Sequence, residues 1–228
     1  MTEPTPHVLT RESIRSSRIR DMIRARGEDH VLSDQELIDT RLDMFPGRRI
    51  DSDVWVFGYG SLIWNPVFHY VEKRAGIVHG YHRRFCMWTN LGRGSDEAPG
   101  LMLGLDRGGS CRGMAFRIAA EVADEELDLI WNREMMSDTY RPTWMTVRTE
   151  TGPVRAISFV MRRDHRRYIG PMGDDEAAAS IAKASGFLGP CREYLFNTVD
   201  HLEELGIPDK GLTRLRNLVL KHLDDQHD

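Results

Sequence analysis

The sequence predicts an α+β domain built on a strongly curved or barrel-like antiparallel sheet. Three observations lead there. Strand-like runs cluster between residues 54 and 161, with one helical stretch among them. Helical periodicity otherwise gathers at the two ends of the chain. Strands and helices do not alternate regularly, which argues against a doubly wound parallel sheet. The 228 residues, 40% hydrophobic and 29% charged, suffice for one sizeable domain plus an appendage, or at most two small domains, and exclude general disorder.

Taken in order, the first fifty residues differ from the rest. Residues 11–26 are arginine-rich, with Ile14, Ile19, Met22 and Ile23 only loosely on one helical face, and Gly27 ends the stretch. Ser33-x-x-Glu36 reads as a capping box, opening a short helix that carries Leu37, Ile38 and Leu42 and stops at Phe45-Pro46-Gly47. Residues 1–50 are therefore expected to form a helical extension packed on the main domain or on a partner; the alternative is a partly ordered surface arm. Residues 51–228 form the main domain. Val54-Trp55-Val56-Phe57 is a short apolar strand that runs into Gly58-Tyr59-Gly60-Ser61. Residues 76–89 suit a long or bent strand. Strands at 101–105 and 113–118 follow, separated by Asp106-Arg107-Gly108-Gly109, a hairpin-turn composition. One helix, from 121 to about 135, precedes strands at 143–149 and 154–161, punctuated by Thr151-Gly152-Pro153. Helices near 174–185, 192–205 and 212–223 complete the chain.

Composition narrows the function classes. A formal net charge of -4 argues against a nucleic-acid polyanion as the main partner. No apolar run approaches the roughly 20 residues that span a bilayer. The N-terminus lacks the basic-then-apolar order of a secretory signal, and Glu12, Asp21, Glu28 and Asp29 fit a transit peptide poorly. Cys86, Cys111 and Cys191 are odd in number and without a CxxC pair, so neither a disulfide framework nor a zinc ribbon is indicated. The expectation is a cytoplasmic protein with no metal, membrane or nucleic-acid partner.

Two places could carry chemistry. Ala123, Leu127, Ile130 and Trp131 form one apolar helical stripe, and continuing it by three reaches Glu134. Burial and the negative helix C-terminus would both raise that carboxyl toward the range useful for a general acid or base. The alternative is a frayed helix end where Glu134 meets water or an arginine. Arg133 lies about 100° around the helix and is not automatically its partner. The second place is Val56-Phe57-Gly58-Tyr59-Gly60-Ser61-Leu62, where an apolar strand enters a glycine-bearing turn. Its successive N–H groups could cradle a carboxylate or a developing oxyanion, or the segment is an ordinary strand-terminating turn. It contains neither GxGxxG nor Gly-Lys-Ser/Thr, and Ser61 lacks a G-x-S-x-G elbow. His79 and His82, at an odd offset on a strand, should face opposite ways and make a poor metal pair. Arg162-Arg163-Asp164-His165-Arg166-Arg167 reads as a solvated loop able to attract an anion. Cys86 and Cys111 read as small core residues.

In company, these segments acquire a further meaning. The run Val56-Phe57-Gly58-Tyr59-Gly60-Ser61-Leu62-Ile63-Trp64 closely resembles the opening motif of the ChaC-like, glutathione-specific γ-glutamylcyclotransferases. Gly80-Tyr81-His82-Arg83-Arg84-Phe85 is similar to that family's second strand, and Arg133-Glu134 with Tyr140-Arg141 to its catalytic segment. Tyr168-Ile169-Gly170-Pro171 and Glu193-Tyr194-Leu195 match later landmarks. The resemblance spans about 54 to 223. It departs at Glu134-Met135-Met136-Ser137-Asp138-Thr139-Tyr140, longer and bulkier than the family's usual glycine pair, and at the loop from Leu91 to Pro99. Both loops could border the pocket.

The resemblance implies a γ-glutamylcyclotransferase-like fold and a reaction without cofactor, in which glutathione is cleaved to 5-oxoproline and cysteinylglycine. Glu134 would be the general base and acid, and the 56–62 segment would bind substrate. Tyr140 and Tyr194 are candidates to offer hydroxyls, and Arg83 or Arg141 to meet a carboxylate. The competing readings are a cyclotransferase for another γ-glutamyl peptide or γ-glutamylamine, and a non-catalytic module for an anionic metabolite.

Overall fold

The computed structural model describes residues 9–16, 18–27, 30–47 and 49–225. Among these described residues three helices come first: α1 (Arg11–Arg15), α2 (Arg18–Arg26) and α3 (Asp34–Met44). The capping box that opens α3 is formed, with Glu36 accepting from the Ser33 N–H at 2.8 Å while the Ser33 side chain accepts from the Glu36 N–H. Ile14, Leu32 and Leu37 enter the same hydrophobic core as the sheet, and Arg11 pairs at 2.6 Å with the buried Glu126.

A closed barrel follows. Strand β1 (Val54–Gly58) leads into a single helical turn, α4 (Ser61–Trp64), and then into β2 (Glu72–Thr89) and β3 (Gly100–Ile118). A 3₁₀ turn at Ala120–Val122 introduces α5 (Ala123–Glu134). The hairpin of β4 (Tyr140–Thr149) and β5 (Gly152–Met161) completes the wall in the order β1-β3-β2-β4-β5. Neighbours along that order are antiparallel, and the barrel shuts where β1 meets β5 in parallel, Trp55 opposite Ala156 and Val56 opposite Ile157. Leu101, Leu103 and Leu105 recur at the strand period and are fully buried, as are Val56, Phe57, Phe116 and Phe159. Against this barrel pack α6 (Asp174–Lys183), a two-stranded ladder of β6 (Ser185–Gly186) and β7 (Gly189–Pro190), α7 (Cys191–Glu204) and α8 (Lys210–Asp224).

Two sequence readings need correction. The glycine pair at 108–109 does not reverse the chain: β3 runs through it. Gly108 (φ +103°) and Gly109 (φ +67°) form an irregularity opposite Gly80 (φ +84°), with His82 opposite Asp106 before it and His79 opposite Ser110 beyond it. A left-handed glycine serves a bulge as well as a turn, so the composition could not separate the two. The 162–167 segment is not simply solvated. Arg163 reaches the fully buried Asp106 at 2.6 Å, Arg162 pairs with Asp138, and Arg167 borders the cavity described below.

Cys86, Cys111 and Cys191 are buried free thiols. Among the described residues, no helix is long and apolar enough to cross a membrane, and no group of three or more His, Cys, Asp or Glu is placed to hold a metal ion.

Candidate active site

Where β1 ends, the chain turns through Tyr59 and Gly60 into α4 and opens one side of a cavity of about 180 Å³. Gly60 is needed there for close approach: a β-carbon on it would lie 3.0 Å from the Tyr194 hydroxyl oxygen. Ser61 and Leu62, as the first residues of a helical turn, have N–H groups without an intrahelical acceptor. Tyr59, Gly60, Ser61 and Leu62 all line the cavity.

Glu134, the last residue of α5, lines the same cavity and is linked to the turn through Arg133. Its side chain retains 15% exposure. Burial raises its pKa above the usual carboxylate range, with the adjacent Arg133 opposing that rise. Arg133 is buried and uses separate nitrogens for separate elements: Nε to Glu134 Oε1 at 2.9 Å, Nη2 to Ser61 Oγ at 2.9 Å and Nη1 to the Asn65 carbonyl at 2.5 Å. The two neighbours in sequence are therefore partners, an outcome that their angular separation on the helix had left open.

Three phenols surround the carboxyl. Tyr59 donates to the Phe159 carbonyl at 2.9 Å, and Tyr140 donates to the Leu103 carbonyl at 3.1 Å. Tyr194 packs edge-on between Trp64 and Phe85, with ring centroids 6.0 and 6.1 Å away. Burial pushes all three phenol pKa values up, and the charge of Glu134 adds to the effect in each case. They remain neutral hydroxyls at ordinary pH, able to donate or accept.

Not every residue singled out from the sequence reaches this cavity. Val56, Phe57 and Gly58 stay in the barrel wall behind the turn, and the Phe57 carbonyl accepts from Ser158 Oγ at 2.9 Å. Arg83 is buried behind the turn, where Nη1 holds the Tyr59 carbonyl at 2.6 Å, Nη2 the Arg112 carbonyl at 2.8 Å and Nε Asp209 at 3.1 Å. It positions the turn without lining the cavity. Arg141 is exposed on the strand, opposite Val160, and also lies outside it. The two departing loops do border the cavity, through Leu91, Gly92 and Arg93 and through Met136, Ser137 and Thr139. Sequence reasoning missed Ile19 and Ile23 of α2, which also line it. Their spacing of four on an arginine-rich helix was the available signal.

Comparison with known proteins agrees with this architecture. The family model described as ChaC-like protein matches residues 54–222. The chain belongs to the ChaC-like family. Among the relatives of this ChaC-like chain is the glutathione-specific gamma-glutamylcyclotransferase of Escherichia coli K12, 41% identical over 174 residues, which are 76% of this chain and 75% of that protein. The mouse glutathione-specific gamma-glutamylcyclotransferase 1 is 35% identical over 158 residues, covering 67% and 71% of the two chains. The crystal structure of the yeast gamma-glutamylcyclotransferase specific to glutathione superposes with a TM-score of 0.71 at 24% identity. That superposition covers 78% of this chain and all of that one, and it establishes the shared fold.

Proposed function

We propose that this ChaC-like chain is a γ-glutamylcyclotransferase that cleaves glutathione into 5-oxoproline and cysteinylglycine. The reading is carried by one observation: the largely buried carboxyl of Glu134, with its pKa raised by burial, shares a cavity with the Tyr59–Leu62 turn and three phenols. Both relatives named above act on glutathione by their descriptions. The buried free thiols suit a reducing, cytoplasmic setting.

In this reaction the α-amine of the substrate attacks its own γ-carbonyl carbon, closing a five-membered ring, and the C–N bond to cysteinylglycine breaks. Nucleophile and electrophile share one molecule, so holding the folded conformer supplies much of the rate; orientation of this kind is worth up to about 7–11 kcal/mol. The α-ammonium first gives a proton to ionised Glu134. The carboxylic acid so formed then protonates the departing amine. The ring nitrogen, cationic after the attack, gives up its second proton to that amine, so cysteinylglycine leaves as an ammonium, 5-oxoproline is a neutral lactam and Glu134 returns to its starting state. A carboxyl with a raised pKa suits both transfers better than an ordinary one, and the pair is worth roughly 10²–10⁴ in rate. Arg133 keeps the carboxyl aimed and limits how far its pKa rises. The N–H groups that open α4 are the donors for either the tetrahedral oxyanion or the substrate α-carboxylate, and Tyr140 and Tyr194 offer hydroxyls beside them. A third carboxylate in the site gives a mere binder of doubly carboxylated glutathione no advantage, which favours turnover over storage.

The deciding experiment is incubation of the purified protein with reduced glutathione, without added metal or nucleotide, followed by detection of cysteinylglycine and 5-oxoproline. Both should form, and Glu134→Gln should lose roughly 10²-fold or more in kcat while keeping its circular dichroism spectrum. A faster reaction with γ-glutamyl-alanine or γ-glutamyl-lysine would overturn the substrate assignment, and normal turnover by Glu134→Gln would overturn the role of the carboxyl.

A further inference from the structure

The ChaC-like match begins at residue 54, yet part of the cavity wall comes from before it. Ile19 and Ile23, one turn apart on α2, line the cavity together with the loop residues. Both are buried, at 9% and 7% exposure, but neither belongs to a hydrophobic core cluster, whereas Ile14, Leu32 and Leu37 from the same stretch do. Two isoleucines hidden on an arginine-rich helix away from the core are hidden against the cavity.

The helix is fastened to the loops that shape this space. Arg26 at its end pairs with Asp96 in the 91–99 loop. Just beyond, Val31 bridges to Ser137 and the Leu32 N–H donates to the Met136 carbonyl at 3.3 Å, both in the segment that follows Glu134. Arg20 reaches Asn132 at 3.3 Å, two positions before Glu134. The N-terminal segment thus braces both loops in which this chain departs from the family's usual sequence.

Resting on the glutathione reading above, we propose that Ile19 and Ile23 are specificity residues that cover the cysteinyl side chain of the substrate. The chemistry of glutathione sorts it along the cavity. Its γ-glutamyl end carries an ammonium and a carboxylate and belongs with Glu134, the turn N–H groups and the phenols. The neutral methylene and thiol of the central residue belong against apolar surface, and α2 brings two branched aliphatic side chains to that wall. An oily roof of this kind binds the thiol-bearing tripeptide and returns little for a substrate that lacks the side chain.

The test compares glutathione with γ-glutamyl-glycyl-glycine on the full-length protein. The Ile19→Ala/Ile23→Ala double variant should lose about tenfold or more in kcat/KM on glutathione, carried in KM, while the glycyl substrate changes by less than about twofold. If the glycyl peptide turns over too slowly to follow, its Ki as a competitive inhibitor replaces KM. Ile19→Val and Ile23→Val, which keep the helix and its packing, should show the same ordering at smaller size. An equal loss on both peptides, a loss confined to kcat, or no change in either overturns the proposal while leaving the cyclotransferase reading intact. A parent protein that releases no cysteinylglycine overturns that reading, and this inference with it.

Discussion

Arg133 joins three groups on two segments distant in sequence: the carboxyl at the end of α5, and the Ser61 hydroxyl and Asn65 carbonyl at the two ends of α4. Its positive charge favours the ionised form of Glu134, while burial favours the neutral one and prevails. Removing the cation should therefore raise the pKa of Glu134 further. The base must be ionised to accept a proton, so kcat/KM rises with pH through that pKa, and in Arg133→Gln the acid limb should move to higher pH. A pH–rate profile of the variant beside the parent checks this; a limb that stays put would remove Arg133 from the electrostatics of the site. Glu134 itself was legible as the continuation of an apolar stripe. Its partnership with Arg133 was not, because backbone periodicity fixes where a β-carbon points and not where a long side chain ends.

At the scale of elements, the strand-to-turn junction sets the geometry. Gly113 on β3 lies against the end of β1, and a β-carbon there would collide with the Gly58 carbonyl oxygen and lie 2.7 Å from the ring of Phe57. Neither is the free end of a flexible chain, so β1 itself must give way. Gly113→Ala should destabilise the protein by about 1–3 kcal/mol and lower kcat through displacement of the 59–62 turn, measurable by denaturant melts and steady-state kinetics. The strands bounding this junction could be read from Val54-Trp55-Val56-Phe57 and from the apolar run at 113–118. The continuity of β3 through Gly108 and Gly109 could not, since positive φ is the one property those glycines announce. The short β6–β7 ladder was equally hidden: its strands are two residues long, too few for any period to show.

For the molecule as a whole, a buried charge ties the 162–168 segment to the barrel. Asp106 accepts from Arg163 at 2.6 Å, from the Tyr168 hydroxyl at 2.9 Å and from the Arg107 N–H at 2.8 Å. Burial alone would raise its pKa, but these partners together hold it below the usual value. A carboxyl whose folded pKa is depressed stabilises above its unfolded pKa, near pH 3.8, and loses that contribution as pH falls through the folded value. Asp106→Asn should therefore cost about 1.5–3 kcal/mol at neutral pH and flatten the acid limb of a stability-against-pH curve below about pH 4. Parent and variant melting together across that range would contradict it.

The parallel seam between β1 and β5 also has a kinetic consequence. Ser158 reaches the Phe57 carbonyl across 101 positions of chain, and Tyr59 reaches Phe159 across 100. Contacts so remote in sequence form slowly, because the intervening loop must be closed before they contribute. A newly made chain can therefore hold its turn and its acid in the right places only once that seam has zipped, and regain of turnover after dilution from urea should lag behind the return of helical signal.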